Sequence, residues 1–554
     1  MNFRKFWYVS ILELILSLPS NFGVAAESAV SMTESEANEL AVLAQHPDEN
    51  MRFKLLNSRF RAKSSLWEPF LDSLTNFAEQ DYLRLQSSIV DRSILEIQEA
   101  VNSGELSYEE LVTFYIYRIR KTESDDELFI NSIISLNPNA INRARQLDEI
   151  RESGAEIATN LIFGIPVLLK DNIGFAGLPT TAGAFALNQS YSGNAYVTDK
   201  LIEGGAVILG KANLSEWAYF FCRDCPSGYS ALGGQTLNPY GRFDFGTGGS
   251  SSGSGASIAA NFAAVAVGSE TSGSILSPSS ANSLVGLKPT TGSLSRTGVV
   301  PISSTLDTVG PMGRSVADVA ILFNAMAGFD TEDLAMPLIS DDLRLIIREA
   351  ALNDRRFGML RTYSENTLYR RAMDLLSQNG FSLQEVELQN ERHARFSELL
   401  GAEMKRDLAL YLDEHASDEI SIDSIKSLQE FNLSDLENRA PYGQALVDLM
   451  VDIELTAGEV EKLAADLRDW GQNYLDRLFM ESGIDILFGV NNHQASIAAL
   501  GNYPALTIPM GYSDDGRPMG LTLIAPPFQE QLLIDAGIKV EKILEARQTP
   551  ISYP

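Results

Sequence analysis

The feature that most constrains this chain is the stretch Gly246–Ser280, which reads GTGGSSSGSGASIAANFAAVAVGSETSGSILSPSS. Nine of the ten residues Gly246–Gly255 are Gly or Ser, a composition that alone describes a flexible linker. A linker does not run straight into Ala256–Val267, which is mostly small and apolar and carries no charge. Nor does it return to a second Gly/Ser cluster at Gly268–Ser274, followed at once by Ile275. Two glycine-permitted turns flanking one buried segment form the pattern of two loops converging on a point. Glycine allows close backbone approach and positive φ, so successive N–H groups can aim at one anion. With hydroxyls at the same turns, this is the wiring of a serine nucleophile and an oxyanion hole.

Two assignments of the nucleophile compete. Gly249-Ser250-Ser251-Ser252-Gly253 fits a G-x-S-x-G elbow with Ser251 as nucleophile, which requires a histidine and an acid. The histidines are His46, His393, His415 and His493. His393 and His415 sit among charged residues and read as solvated helix faces; only His493 lies beside a Gly-containing apolar stretch. The base therefore has to come from elsewhere. A serine hydroxyl is a poor nucleophile until a neighbour takes its proton, and lysine can do so only when neutral. Lys170 ends the apolar run Ile165–Leu169, typical of a strand buried on both faces, and burial lowers a lysine pKa from its reference of about 10.4. The alternative for Lys170 is a solvated residue capping a strand.

Here the sequence resembles the amidase signature family. The resemblance rests on Gly248–Ser254 (GGSSSGS), Gly268–Ile275 (GSETSGSI), Val285–Thr290 (VGLKPT) and the upstream Gly164–Asn172 (GIPVLLKDN). It extends over about residues 91–548 and implies an α/β fold with a central mixed, twisted β-sheet covered by helices on both faces. It also implies hydrolysis of carboxamides by a Ser–cis-Ser–Lys triad, with Lys170 as base, Ser250 as bridging serine and Ser274 as nucleophile. The cis peptide falls at Gly249–Ser250, and the oxyanion donors fall on the N–H groups of Thr271, Ser272, Gly273 and Ser274. Ser251, Ser252 and Ser254 are then structural, supplying local hydrogen bonds and capping the next helix. By motif detail the likeness is nearest to bacterial peptide amidases, which implies deamidation of C-terminal peptide amides. A broad aryl or fatty acyl amidase is the alternative, and an inactive secreted binding protein of the same fold a further one.

Two departures from the family pattern bear on substrate. Many relatives carry Gly-Gly-Ser-Ile-Arg at the nucleophile, where this chain has Ser272-Gly273-Ser274-Ile275-Leu276. Loss of the arginine removes a bidentate partner for a substrate carboxylate. Ser272 in place of glycine requires the turn to tolerate a Cβ.

Met1–Ala26 has the form of a secretory signal, with Arg4 and Lys5, an apolar run Phe6–Leu18 interrupted by Glu13, and a small-residue site Val24-Ala25-Ala26. An uncleaved interfacial anchor is the alternative. The expectation is an exported protein, periplasmic or secreted, without stable membrane insertion. Residues 27–90 read as a helical extension that wraps the domain or covers an entrance, or does neither. Residues 91–548 are the amidase signature domain, within which 330–484 is charged, helix-rich and far less family-like. A net charge of −30 disfavours nucleic acid and anionic membranes as partners. No clustered metal-ligand set and no phosphate loop occurs, so no cofactor is expected. The substrate is a small-molecule or peptide amide, and the expected state is a monomer or homodimer. Cys222 and Cys225, the two cysteines, are spaced C-x-x-C. In an exported protein a short-range disulfide is favoured over free thiols or a redox pair.

Overall fold

The computed structural model describes residues 30–336, 343–388 and 393–554. The leader read at Met1–Ala26 lies outside them. Among the described residues, eleven strands form one mixed sheet. In chain order they are β1 (Ile133–Leu136), β2 (Pro166–Lys170), β3 (Val207–Ala212), β4 (Val265–Glu270), β5 (Val285–Lys288) and β6 (Thr308–Gly313). They continue with β7 (Arg356–Leu360), β8 (Ser382–Val386), β9 (Ile486–Val490), β10 (Ala505–Tyr512) and β11 (Pro518–Ile524). Across the sheet the order is β1-β3-β2-β4-β6-β5-β10-β11-β9-β7-β8.

β2 lies parallel to both its neighbours, β3 and β4, and every residue from Pro166 to Lys170 is buried. That is why its sequence is a continuous apolar run and not an alternating one. β10 and β11 form an antiparallel hairpin, with Ala505 opposite Ile524 and a register shift between Pro509 and Gly511. Side chains alternate between the two faces of a strand. On β10, Leu506 packs on Gly537 of the helix Glu530–Leu544, and its neighbour Thr507 meets Ser280 of the helix Leu276–Ala281 at 3.0 Å. Helices therefore cover both faces.

The domain opens with two helices, Ile94–Asn102 and Tyr108–Glu123, each started by a capping box. The N-cap Ser107 accepts from Glu110 N at 3.1 Å, and Glu110 accepts in turn from Ser107 N at 3.0 Å.

The extension is less helical than its sequence suggests. Glu34–Leu43 and Glu79–Ile89 are helices, but between them runs a strap of short turns. Its backbone is satisfied partly by the extension's own first helix and partly by the body of the protein. Buried Glu36 accepts from Leu56 N and Asn57 N, Leu56 O accepts from Gln235 N at 2.8 Å, and Lys54 N donates to Tyr442 OH at 2.7 Å.

The region 330–484 is helix-rich, as with Phe396–His415 and Ala457–Ser482, but it also supplies β7 and β8. These strands lengthen the sheet at one edge. β8 is largely exposed, so it lacks the apolar run that marks a buried strand.

Candidate active site

Strand β2 delivers Lys170 into a buried pocket formed by the signature turn and β4. Its Nζ lies 2.7 Å from Ser250 Oγ, 2.8 Å from Ser269 Oγ and 3.0 Å from Ser269 O, and Lys170 and Ser250 are both fully buried. Burial lowers the Lys170 pKa to about 7; the carboxylates of Asp307 and Glu270 oppose that shift. Proton counting then orients the contacts. A neutral amine has two N–H groups and one lone pair. Ser269 O accepts one N–H, and Ser269 Oγ, which also accepts from Asn172 Nδ2 at 2.9 Å, can accept the other. The lone pair is left for the Ser250 O–H.

The signature turn is built for close approach. The Gly249–Ser250 peptide is cis. A Cβ on Gly249 would stand 2.4 Å from Ser227 Oγ and 2.6 Å from Ser215 Oγ, so only glycine fits. Ser250 O accepts from Ser215 N at 3.0 Å, and Ser251 N donates to Ser274 O at 3.1 Å, which ties the two Gly/Ser turns together.

Ser251 is unsuited to the elbow role. It is fully buried, and its hydroxyl donates to Ser269 O at 3.1 Å and accepts from Ser269 N at 3.3 Å. No histidine bonds to a signature serine among the described residues; His493 instead pairs with Tyr363 OH at 3.0 Å. Ser252 and Ser254 donate to Gly248 O and Val267 O, as structural residues should. One expectation is corrected: Ser251, the N-cap of the helix Ser252–Ala259, makes no side-chain cap bond, because its hydroxyl is committed to β4.

Ser274 is half-buried, and its hydroxyl has no hydrogen-bond partner among the described residues. Gly273 before it has φ +96, with Asn492 Nδ2 2.8 Å from where a Cβ would stand, so this position also requires glycine. The N–H groups of Thr271, Ser272 and Ser274 take no acceptor among the described residues. The Gly273 N–H differs, because it acts on the Glu270 carboxylate. Ser272 is tolerated with its Cβ, and its hydroxyl pairs with Ser496 Oγ at 2.9 Å.

The sequence matches the amidase family over residues 110–447. A probable amidase of Arabidopsis thaliana is 35% identical over 487 residues, covering 84% of this chain and 93% of the relative. This chain belongs to the amidase signature family. It is an amide C–N hydrolase. An amidase family protein of Bacillus anthracis superposes with TM-score 0.84 at 33% identity, over 89% of this chain and 99% of that one. A peptide amidase of Stenotrophomonas maltophilia superposes with TM-score 0.76 at 34% identity, over 83% and 98%.

The amidase supports its Thr271–Ser274 turn with charges that the motifs do not reveal. Glu270 Oε2 accepts from Ile275 N at 2.7 Å and Leu276 N at 3.0 Å, the two residues after Ser274. Opposite Glu270, Lys288 is fully buried, and burial lowers its pKa to about 8 against the pull of Glu270 and Glu530. Desolvation lifts the Asp307 carboxyl to about 6. Asp307 accepts from Thr271 Oγ1 with one oxygen and from Ile302 N and Ser303 N with the other. Ser269, Glu270, Lys288 and Asp307 are within quoted or nearby motifs, but nothing in their spacing announces these contacts.

Leu276, which stands where the sequence pattern implied a lost substrate-facing arginine, is buried in an apolar cluster with Leu475, Phe479 and Tyr503. Cys222 and Cys225 are joined by a disulfide, with Cα atoms 5.7 Å apart.

Proposed function

We propose that this amidase deamidates C-terminal peptide amides through an acyl-Ser274 intermediate, with Lys170 as base and Ser250 as proton relay. The observation that carries the reading is the 2.7 Å contact between a fully buried Lys170 Nζ, its pKa lowered to about 7, and Ser250 Oγ. Ser250 passes its proton to Nζ and takes the Ser274 proton as Ser274 Oγ attacks the carbonyl carbon. The N–H groups of Thr271, Ser272 and Ser274 face the developing oxyanion, and loss of one such donor typically costs about a hundredfold or more. Lys170 then returns its proton through Ser250 to the leaving nitrogen, and ammonia departs. Water repeats the sequence in reverse and frees the acid. The likeness to the Stenotrophomonas maltophilia peptide amidase supports a peptide amide as substrate.

The protein is exported in this reading. The leader-like Met1–Ala26 and the Cys222–Cys225 disulfide support it, and both fit poorly with a tRNA-dependent amidotransferase subunit working beside its partners in the cytosol. Among the described residues no helix is long and apolar enough to cross a membrane.

The test is incubation of the mature enzyme with a blocked dipeptide amide, an unamidated longer peptide and an anilide, followed by mass spectrometry and ammonia assay. Conversion of the amide to the acid with the longer peptide intact is expected. Internal cleavage, or turnover of the anilide alone, would transfer the assignment to a broad acyl amidase. No reaction with any amide would leave a binding protein.

A further inference from the structure

A cavity of about 380 Å³ lies beside the nucleophile turn, within the ~300–1,000 Å³ range usual for small-molecule sites. The chain segments that wall it also shape the site. Ser277, one helical turn after Ser274, lines it, and Ser277 N donates to Gly273 O at 2.8 Å. Asn492, packed on Gly273, and Ser227, packed on Gly249, line it as well.

The remaining wall comes from an unexpected quarter. Asp48, Asn50, Met51 and Phe53 of the N-terminal strap close one side, well before residue 110, where the family match begins. This wall is fixed. Met51 and Phe53 are buried in the main core, and the strap's Leu56 O is bonded to Gln235 N beside the cavity. Tyr219 also lines the cavity and is 43% exposed although it is a large aromatic. Tyr219 closes a run of three non-glycine residues at positive φ: Trp217 at 51°, Ala218 at 53° and Tyr219 at 75°. Such strain persists where surrounding structure over-determines it, and it concentrates at ligand sites. Here the Tyr219 hydroxyl donates to Cys225 O at 3.0 Å, inside the disulfide-closed loop.

The lining chemistry says what would fit. Asp48 and Arg517 are its charged members, one of each sign, so the cavity is neutral on a protein of net charge −30. The polar remainder is amide and hydroxyl, supplying donors and acceptors together. A peptide backbone offers both in alternation. A fatty or aryl acyl group offers neither.

We infer that this cavity is the subsite for the peptide portion that precedes the amidated residue, and that the N-terminal strap sets the preference for peptides over small amides. The inference rests on the peptide amidase reading, so its test is a binding measurement that does not depend on turnover. Ser274→Ala enzyme is titrated calorimetrically with a blocked tripeptide amide and with a blocked single-residue amide. The tripeptide amide binds at least about tenfold more tightly if the cavity holds the added residues. Asn50→Trp, at an exposed position that a large ring occupies without disturbing the core, fills the cavity and removes that difference. Tyr219→Ala reduces it. Equal affinity for the two ligands, or equal weakening of both by Asn50→Trp, would overturn the subsite. Failure of the intact enzyme to release ammonia from peptide amides is a separate result and would count against the reaction.

Discussion

Thr271 donates its hydroxyl to Asp307 at 2.5 Å, and Asp307 is the carboxylate that acts most strongly on the charge of Lys170. One group thus anchors the first residue of the Thr271–Ser274 turn and raises the pKa of the proposed base. Geometry and electrostatics at this site are coupled through a residue that is itself outside the proposed triad.

That coupling predicts a pH shift. With Lys170 as base, kcat/KM rises with pH along a limb whose midpoint lies near 7, since the neutral amine is the active form. Asp307→Asn removes a charge that favours the ammonium, so the limb moves to lower pH while the rate falls through loss of turn geometry. Thr271→Val lowers the rate by about tenfold or more and moves the limb in the same direction but by less, because the lost hydroxyl no longer helps hold the Asp307 carboxyl ionised. A pH–rate series on the three proteins decides it.

Ser274→Ala and Ser251→Ala should separate cleanly. The first removes the nucleophile and reduces kcat by at least about a thousandfold. The second leaves most of the activity but costs about 1–3 kcal/mol of stability, because Ser269 N and Ser269 O lose a buried partner. Steady-state kinetics with denaturant unfolding measures both. A dead Ser251→Ala beside an active Ser274→Ala would reverse the assignment.

Glu270 and Lys288 are both buried and act on each other's charge behind the Thr271–Ser274 turn. Lys288→Met removes a buried cation whose charge favours the Glu270 carboxylate, so Glu270 loses that support and the fold is destabilised. The double variant Glu270→Gln, Lys288→Met recovers much of that stability, since the amide still accepts from Ile275 N and Leu276 N without a buried charge. A double-mutant cycle by chemical denaturation reads the coupling directly.

Lys170 also carries a stability signature. Its folded-state pKa, about 7, lies below the unfolded value near 10.5, so the unfolded chain binds the extra proton between them. The cost of keeping this amine in the fold is greatest below pH 7 and falls as pH rises towards 10.5. Relative to wild type, Lys170→Met therefore gains most in stability at or below pH 7, and the difference shrinks steadily at higher pH. Unfolding free energies at several pH values test this, and a pH-independent difference would mean that Lys170 keeps an ordinary pKa.

Much of this protein was legible in the residues. The continuous apolar run into Lys170, the two Gly/Ser turns, the Ser107–Glu110 cap and the Tyr503–Leu523 hairpin are local patterns, set by periodicity and backbone preference within a few residues. Spacing and family likeness together brought Lys170, Ser250 and Ser274 onto one short list. Tertiary structure alone decided the rest. It committed the Ser251 hydroxyl to β4, turned Leu276 into the core and placed β7 and β8 on the sheet. It also brought the strap against residues almost two hundred positions later, at Gln235. The reason is physical. A hydroxyl, a carboxylate or a stretch of polar chain has no fixed role until burial removes its water and a distant segment supplies its partner, and neither event is written in local sequence.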